Sequence, residues 1–334
     1  MPNIGAMPIH HSKMDSKGMA RIFKAITEGP YPLALAPEGQ VSYFTDSLPH
    51  LENGTIFIGF QAASQMADKN INIPVEILPL SIHLRYDKHG EAAMIKLLGK
   101  IEKLCDISNG NLPFTERLRQ CREYILKINE NRYNIKSDDS VSFETRLEKI
   151  VNAALETAER MLGINSGGSP KSDAAKDGAV SGDDFFPRLY KVRQLCWDKI
   201  FLPGVVSLEQ KTVVERNAMD LGAGEAWYIS RHQELADFGW YFRRPLPTED
   251  AALHNRIEYV QNLYDFANRT MGGAIANRVN IFPRKVIIHA ATVINLTERL
   301  PRYKENKKCA IAAGAADLEK AYLDSIKKAN DLPN

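Results

Sequence analysis

The sequence lacks the features that mark a metalloprotein or a nucleic-acid-binding protein. Its four cysteines are widely separated and none has the spacing of a metal site, so we expect reduced, mostly buried thiols and no bound metal. The 43 basic and 41 acidic residues nearly balance, which leaves a net charge of +2. Nucleic-acid-binding proteins have an excess of basic residues, and this chain has almost none, so no nucleic-acid partner is expected.

Long apolar runs are also missing. No segment approaches the roughly 18–20 consecutive apolar residues that cross a bilayer. The first residues lack the basic region and the apolar region of a secretory signal. These absences predict a cytoplasmic protein whose only membrane association is peripheral.

One short segment has the composition of a bilayer interface. Trp240, Arg243 and Arg244 lie in a run of aromatic and cationic residues, a mixture favoured where a protein touches lipid headgroups. Aromatic residues at the end of a helix also commonly pack in a protein core. The composition is compatible with both peripheral membrane contact and core packing.

The first hundred residues alternate between short apolar segments and helical patterns. Gly5–Ile9, Leu33–Ala36 and Val75–Ile82 are bounded by glycine or proline, which is typical of buried strands. Lys17–Thr27 and Phe60–Ala67 have helical patterns. Such alternation predicts an α/β fold in which a mostly parallel sheet is flanked by helices.

The middle of the chain is dominated by helical patterns. Apolar residues recur every three or four positions in Ala92–Asp106, Phe114–Asn129, Phe143–Leu162 and Leu253–Asn268. Ser207-Leu208-Glu209-Gln210 has the form of a capping box that opens another helix. We expect this region to be all-α.

Two features suggest how these regions are organised. Residues 165–184 are rich in Gly, Ser, Asp and Lys, a composition that predicts a disordered loop. The composition of Lys285–Ala291 again predicts a strand. The economical interpretation is one α/β domain, formed by residues 1–100 and 283–334, with a helical insertion at 101–282. The alternative is two consecutive domains, with the last strand belonging to the helical one.

The most informative motif is Pro37-Glu38-Gly39, which directly follows the apolar segment Leu33–Ala36. A carboxylate and a glycine at the end of a strand form a common site architecture, because glycine lets the backbone approach a ligand closely. The tripeptide is also an ordinary surface turn. Its surroundings decide between the two interpretations.

Other segments stand around this motif in an ordered series. Ile4–His11 is a glycine-led strand candidate before it, Gly54–Ala62 follows it, Val75–Leu80 contains a proline, and Lys285–Ile294 comes last. In this order the segments resemble the sequence blocks of the glycerolipid acyltransferases, of the lysophosphatidate and glycerol-3-phosphate type. The resemblance covers residues 1–100 and 283–334.

The resemblance implies an enzyme that transfers a fatty acyl group from acyl-CoA or acyl carrier protein to the hydroxyl of a lysophospholipid or glycerol phosphate. It implies no metal and no bound organic cofactor. The acceptor site would contain Glu38 and Gly39, with Gln40, Ser42 and His11 as neighbours. Val41 stands where the family has a phosphate-contacting arginine, so the identity of the acceptor stays open.

The family's catalytic block, His-x4-Asp, has no clear counterpart. His10 and Asp15 have this spacing, but His10 occupies the place of the second block and lies too close to Glu38. We therefore expect the catalytic histidine block to be missing from this chain. One alternative is that His10 and Asp15 act as the base pair of a shortened domain. Another is a non-catalytic lipid-binding or interaction protein on an acyltransferase scaffold.

Overall fold

The computed structural model describes residues 16–39, 44–48, 50–108, 111–164, 182–201, 207–273 and 278–331. The chain forms two compact units: unit 1 comprises residues 1–87 and 283–334, and unit 2 comprises residues 88–282. The helices of the described residues are α1 (Ser16–Glu28), α2 (Gly54–Asp68), α3 (Lys88–Leu104), α4 (Phe114–Arg132), α5 (Phe143–Met161), α6 (Gly182–Phe201), α7 (Val213–Tyr241), α8 (Leu253–Thr270), α9 (Leu300–Glu305) and α10 (Lys307–Asn330). The strands are β1 (Glu76–Ile77), β2 (Leu80–Arg85), β3 (Lys285–Ala290) and β4 (Ile294–Asn295).

The prediction of a mostly parallel sheet flanked by helices is wrong. The fold is mostly helical, with 63% helix and 6% strand, and the described residues hold only two antiparallel pairs of strands. Leu33–Ala36, predicted as a buried strand, joins neither pair. Its apolar pattern is compatible with a strand, but a strand also needs a neighbour for its backbone groups, and composition does not supply one. Gly5–Ile9 lies outside the described residues.

The longer pair joins β2 to β3. Its register runs from Leu80 opposite Ala290 to Arg85 opposite Lys285. The shorter pair joins β1 to β4, with Glu76 opposite Asn295. Each pair therefore links the segment that precedes unit 2 in the chain to the segment that follows it.

The core of unit 1 lies around α2. Phe60 stacks on Tyr303 of α9 with ring centroids 4.6 Å apart, and Gln61 donates a hydrogen bond to the Tyr303 hydroxyl at 2.8 Å. Gly59 lies beneath Leu296, where a Cβ atom would come within 2.3 Å of the leucine side chain. The missing side chain of Gly59 thus lets the β4 end of the chain pack directly on α2.

The helical patterns of unit 2 are confirmed, with ends shifted by a few residues. Ala92–Asp106, Phe114–Asn129, Phe143–Leu162 and Leu253–Asn268 correspond to α3, α4, α5 and α8. Their apolar stripes are buried, which is the reason that three- and four-residue periodicity identified them. The predicted disordered loop at 165–184 lies outside the described residues, except that residues 182–184 form the start of α6.

The predicted capping box is misplaced by five residues. Helix α7 opens at Thr212, whose side chain accepts a hydrogen bond from the Glu215 amide at 3.2 Å. The Glu215 carboxylate accepts one from the Thr212 amide at 2.8 Å, which completes the box. Ser207 accepts a hydrogen bond from the Glu209 amide in the preceding turn. Two similar Ser/Thr-x-x-Glu/Gln patterns compete here, and the one that meets the helix is the second.

A buried ion network holds α4 to α5. Arg146 donates to both carboxylate oxygens of Glu130, each at 2.7 Å, and to Glu123 at 2.6 Å. Arg146 and Glu130 are both buried. The hydrogen bonds to Glu130 are the main reason that the pKa of Arg146 is raised. A bidentate pair in such surroundings orients the two helices as well as neutralising both charges.

We predict that Arg146→Ala lowers the free energy of unfolding of unit 2 by about 3–5 kcal/mol, because it leaves the Glu130 carboxylate buried without its cation. Urea unfolding followed by tryptophan fluorescence measures this, since all three tryptophans belong to unit 2. Arg119→Ala is the matched control, because Arg119 lies on the exposed side of α4 and pairs with Glu116 of the same helix. Its expected cost is below about 1 kcal/mol. Equal costs for the two variants would contradict the prediction.

Candidate functional site

The Pro-Glu-Gly motif forms a tight turn in unit 1. The Gly39 amide donates to the Ala36 carbonyl at 3.2 Å, and the Glu52 amide donates to the Pro37 carbonyl at 2.7 Å. Gly39 has φ +68°, a left-handed conformation that other residues adopt only with strain. The glycine of the motif is therefore required by the turn itself. His10, His11, Asp15, Gln40 and Ser42 lie outside the described residues.

The Glu38 side chain is turned into unit 1. The residue is half-buried, and its Oε2 atom is inaccessible to solvent. Tyr322 of α10 lies close enough to sense its charge: the pKa of Tyr322 is raised, first by burial and second by the negative charge of Glu38. The motif is thus not an outward surface bend. The carboxylate therefore lies near Tyr322 of α10.

Unit 1 also contains a buried cluster of polar side chains, formed by Asp46 and by residues of β2. Asp46 accepts a hydrogen bond from Arg85 at 3.1 Å through Oδ2, and its Oδ1 atom lies 2.6 Å from His83 Nδ1. His83 Nε2 lies 2.9 Å from the Ser81 hydroxyl. His83 and Arg85 are buried, and they point to the same side because they are two residues apart on β2.

The order Ser81–His83–Asp46 has the hydrogen-bond connectivity of a serine hydrolase triad. Its environment is different, because His83 is fully buried and Asp46 is shared with Arg85. Arg85 also donates to the Ala329 carbonyl at 2.8 Å, which ties β2 to the end of α10. The cluster therefore holds the fold of unit 1 together. The sequence signal that could have found it is the pair of polar residues at inward positions of β2.

The segment considered for membrane contact is packed into unit 2. Trp240 is buried and stacks on Phe185 with ring centroids 4.3 Å apart. Arg243 lies 3.6 Å above the Trp240 ring and pairs with Glu148 at 3.2 Å. Arg244 is half-buried. These contacts use Trp240 in the core and give no support to a bilayer contact there. None of the described helices combines the length and the apolar character required to cross a membrane.

Unit 2 contains a pocket of about 290 Å³ between the C-terminal ends of α4 and α8 and the middle of α7. We call it the arginine pocket. Three arginines contribute to its wall, and the described residues that line it include no carboxylate. The lining residues are Arg132, Tyr133, Trp227, Tyr228, Arg231, His232, Leu235, Arg269, Thr270 and Gly272.

Arg269 is the most buried cation of this pocket. Its Nη1 atom donates to the Gly273 carbonyl at 2.7 Å. Its Nη2 atom lies 2.5 Å from Glu234, yet the angle is unsuitable for a hydrogen bond, and Nε and Nη2 have no acceptor among the described residues. We regard the contact with Glu234 as an ion pair without a hydrogen bond, since the distance is short and only the geometry fails. Unsatisfied buried donors of this kind cost about 1–3 kcal/mol each.

The other arginines are held in place but are incompletely neutralised. Arg132 donates to the Thr270 carbonyl at 2.6 Å and to the Asn129 side chain at 3.1 Å, both neutral acceptors. Arg231 lies 3.7 Å above the Trp227 ring and 3.3 Å from Glu234. Glu234 is thus shared by two arginines, and the pocket keeps a positive charge.

His232 and Tyr133 form a linked pair on the pocket wall. The Tyr133 hydroxyl lies 2.9 Å from His232 Nδ1. Burial is the main cause that lowers the pKa of His232, and the positive charges of Arg132 and Arg160 lower it further. His232 is therefore neutral at pH 7, and the positive charge of the pocket comes from its arginines alone.

The described residues of the Pro-Glu-Gly turn, the buried cluster around Asp46 and the arginine pocket all lack the composition of a metal centre. The part of the chain that the structure describes contains no group of three or more His, Cys, Asp or Glu residues placed to hold a metal ion.

Comparison of the chain with protein-family models, curated proteins and solved structures found no match. The arginine pocket was not anticipated from the sequence, because its cations come from three helices that are distant along the chain.

We predict that Asp46→Ala opens the β2–β3 ladder, because it leaves Arg85 and His83 buried without their shared anion. The expected cost is about 3–5 kcal/mol. Hydrogen–deuterium exchange of peptides that cover Leu80–Arg85 and Lys285–Ala290 should then be at least about a hundredfold faster. Ser81→Ala is the control, since it removes two neutral hydrogen bonds, one with His83 at 2.9 Å and one to the His289 carbonyl at 3.5 Å, but no charged partner, and should change exchange much less. Unchanged exchange in Asp46→Ala would show that the cluster does not hold the fold.

Proposed function

We propose that this chain is an acyltransferase-type protein that moves a fatty acyl group from acyl-CoA or acyl carrier protein to the hydroxyl of a lysophospholipid or glycerol phosphate. The observation that carries the proposal is the inward position of Glu38 on the Pro-Glu-Gly turn. The ordered series of segments from Ile4 to Ile294 that resemble the acyltransferase blocks gives it further support.

The proposal does not need a parallel sheet. Function depends on the chemistry of a site, and similar chemistry occurs on unrelated folds. Here the turn is kept by two backbone hydrogen bonds and by the left-handed Gly39, while Tyr322 lies near the carboxylate. The hydrogen bonds and Gly39 fix the backbone that carries Glu38, and a fixed backbone favours the positioning that an acceptor-binding group requires.

In the proposed reaction the acceptor hydroxyl attacks the carbonyl carbon of the thioester. The hydroxyl proton passes to a base, a tetrahedral oxyanion forms, and the carbon–sulfur bond breaks as the thiol leaves with a proton. Glu38 binds the acceptor by accepting a hydrogen bond from one of its hydroxyl groups. Gly39 lets the backbone come close to the same ligand.

We predict that Glu38→Gln lowers the rate of acyl transfer by about 10–100-fold, the loss expected for one hydrogen bond to a charged group. The measurement is transfer of a radiolabelled acyl chain from acyl-CoA and from acyl carrier protein to lysophospholipid and glycerol phosphate. Glu28→Gln is the matched control, since Glu28 is an exposed carboxylate at the end of α1 in the same unit. It should retain the full rate.

Two results would overturn this assignment. Equal rates for the native chain and Glu38→Gln would remove Glu38 from the acceptor site. A native chain that transfers no acyl group to any of these acceptors but binds lysolipid would favour the non-catalytic lipid-binding alternative. In an active preparation, His10→Ala tests the base: lost activity with retained lysolipid binding identifies His10 as the base, and retained activity excludes it.

A further inference from the structure

The arginine pocket combines the buried Arg269 with the half-buried Arg231 and the exposed Arg132. Arg269 is 5% exposed, and its Nε and Nη2 atoms lack a hydrogen-bond acceptor among the described residues. Arg132 is bonded only to neutral acceptors in the part of the chain that is described. Glu234 is the nearby carboxylate, and it already serves both Arg231 and Arg269. The pocket therefore has cationic donors in excess of the anions that the described protein offers them.

The rest of the wall is aromatic and apolar. Trp227 and Tyr228 are about half exposed on α7, and Leu235 lies two turns further along the same helix. Tyr228 and Tyr133 both contact the His232 ring edge-on, with centroids 5.4 and 5.7 Å apart. Exposed aromatic rings beside cations suit a ligand with one charged end and one flat or apolar end.

The dimensions limit the ligand. A volume of about 290 Å³ lies at the lower end of the roughly 300–1,000 Å³ range of small-molecule sites. It suits a headgroup or a single nucleotide rather than a complete acyl chain. Guanidinium groups match phosphate oxygens in geometry and charge, and several of them around one site favour an ion with more than one negative charge.

We infer that the arginine pocket binds a phosphate monoester that carries an apolar or aromatic group. Arg132 binds the phosphate, the buried Arg269 adds its positive charge to the site, and Trp227, Tyr228 and Leu235 contact the substituent. The pocket belongs to unit 2, so the proposal that it binds a phosphate monoester is tested independently of the acyl transfer proposed for unit 1.

The test is isothermal titration calorimetry of the full chain with four probes: inorganic phosphate, glycerol 3-phosphate, adenosine 5′-phosphate and uncharged adenosine. We expect the two monoesters to bind, adenosine not to bind, and binding to weaken as salt is raised. A preference for adenosine 5′-phosphate would identify a nucleotide as the source of the phosphate. Glycerol 3-phosphate, whose substituent is polar, should bind no more tightly than inorganic phosphate, and a preference for it over adenosine 5′-phosphate would contradict the apolar or aromatic substituent. Adenosine binding as tightly as its phosphate, or no binding by either monoester, overturns the proposal.

Substitutions on one helix give a matched comparison. Arg132→Gln should weaken monoester binding by about tenfold or more, whereas Arg119→Gln, on an exposed face of α4 outside the pocket, should leave it unchanged. Equal binding by the two variants contradicts the proposed role of Arg132.

Tryptophan fluorescence provides a local readout of the same site. Trp227 lies on the pocket wall, so monoester binding should change the emission of the native chain, and Trp227→Phe should abolish that change. Retention of the full change in Trp227→Phe would place the bound monoester elsewhere and overturn the assignment. Far-ultraviolet circular dichroism of each variant verifies that its helices are intact.

Discussion

The antiparallel pairing of β2 with β3 is the constraint on which unit 1 depends. It joins Leu80–Arg85 to Lys285–Ala290, two segments separated by the whole of unit 2 in the chain. The chain therefore leaves unit 1 just after Arg85 and returns just before its ladder partner Lys285. The Asp46–His83–Arg85 cluster reinforces this junction, because Arg85 also bonds the end of α10. A ladder between such distant segments closes a long loop, which has an entropic cost. The ladder has six residue pairs, and the buried charge pairs beside it further fix the orientation of β2.

Buried arginines have two different roles in this protein. Arg85 and Arg146 are matched by carboxylates at hydrogen-bonding distance and hold secondary-structure elements together. Arg269 is equally buried, but its donors are only partly matched. A buried charge is costly unless it is paired, so the first pattern stabilises a fold and the second suits a binding site. The same distinction separates the triad-like Ser81–His83–Asp46 arrangement, which is structural, from the arginine pocket.

The two proposed sites lie in different units of the chain, Glu38 in unit 1 and the arginine pocket in unit 2. In unit 1 a single carboxylate on a rigid turn suits the recognition of a hydroxyl group. In unit 2 a cationic pocket with aromatic walls suits a phosphate monoester. Both are built on features that constrain the backbone or helix ends: Gly39 in the left-handed region, and the last turns of α4 and α8. Both acyl-CoA and lysophosphatidate carry a phosphate monoester group, so the two proposals are chemically compatible while being tested separately.

Local sequence was enough to identify the helices of unit 2, because an amphipathic stripe records which side of a helix is buried. For Pro37-Glu38-Gly39 it left two interpretations, a strand-end site and a turn, and the structure shows a turn in which Gly39 is left-handed. It identified the strand at Lys285–Ala291, which is β3, but not how the strands pair. Leu33–Ala36 has a strand pattern but no ladder, and β2 pairs antiparallel with a segment some two hundred residues away. Strand pairing, the Asp46–His83–Arg85 cluster and the arginine pocket were decided only by tertiary structure. Each depends on contacts between residues far apart in the chain, which no local pattern encodes.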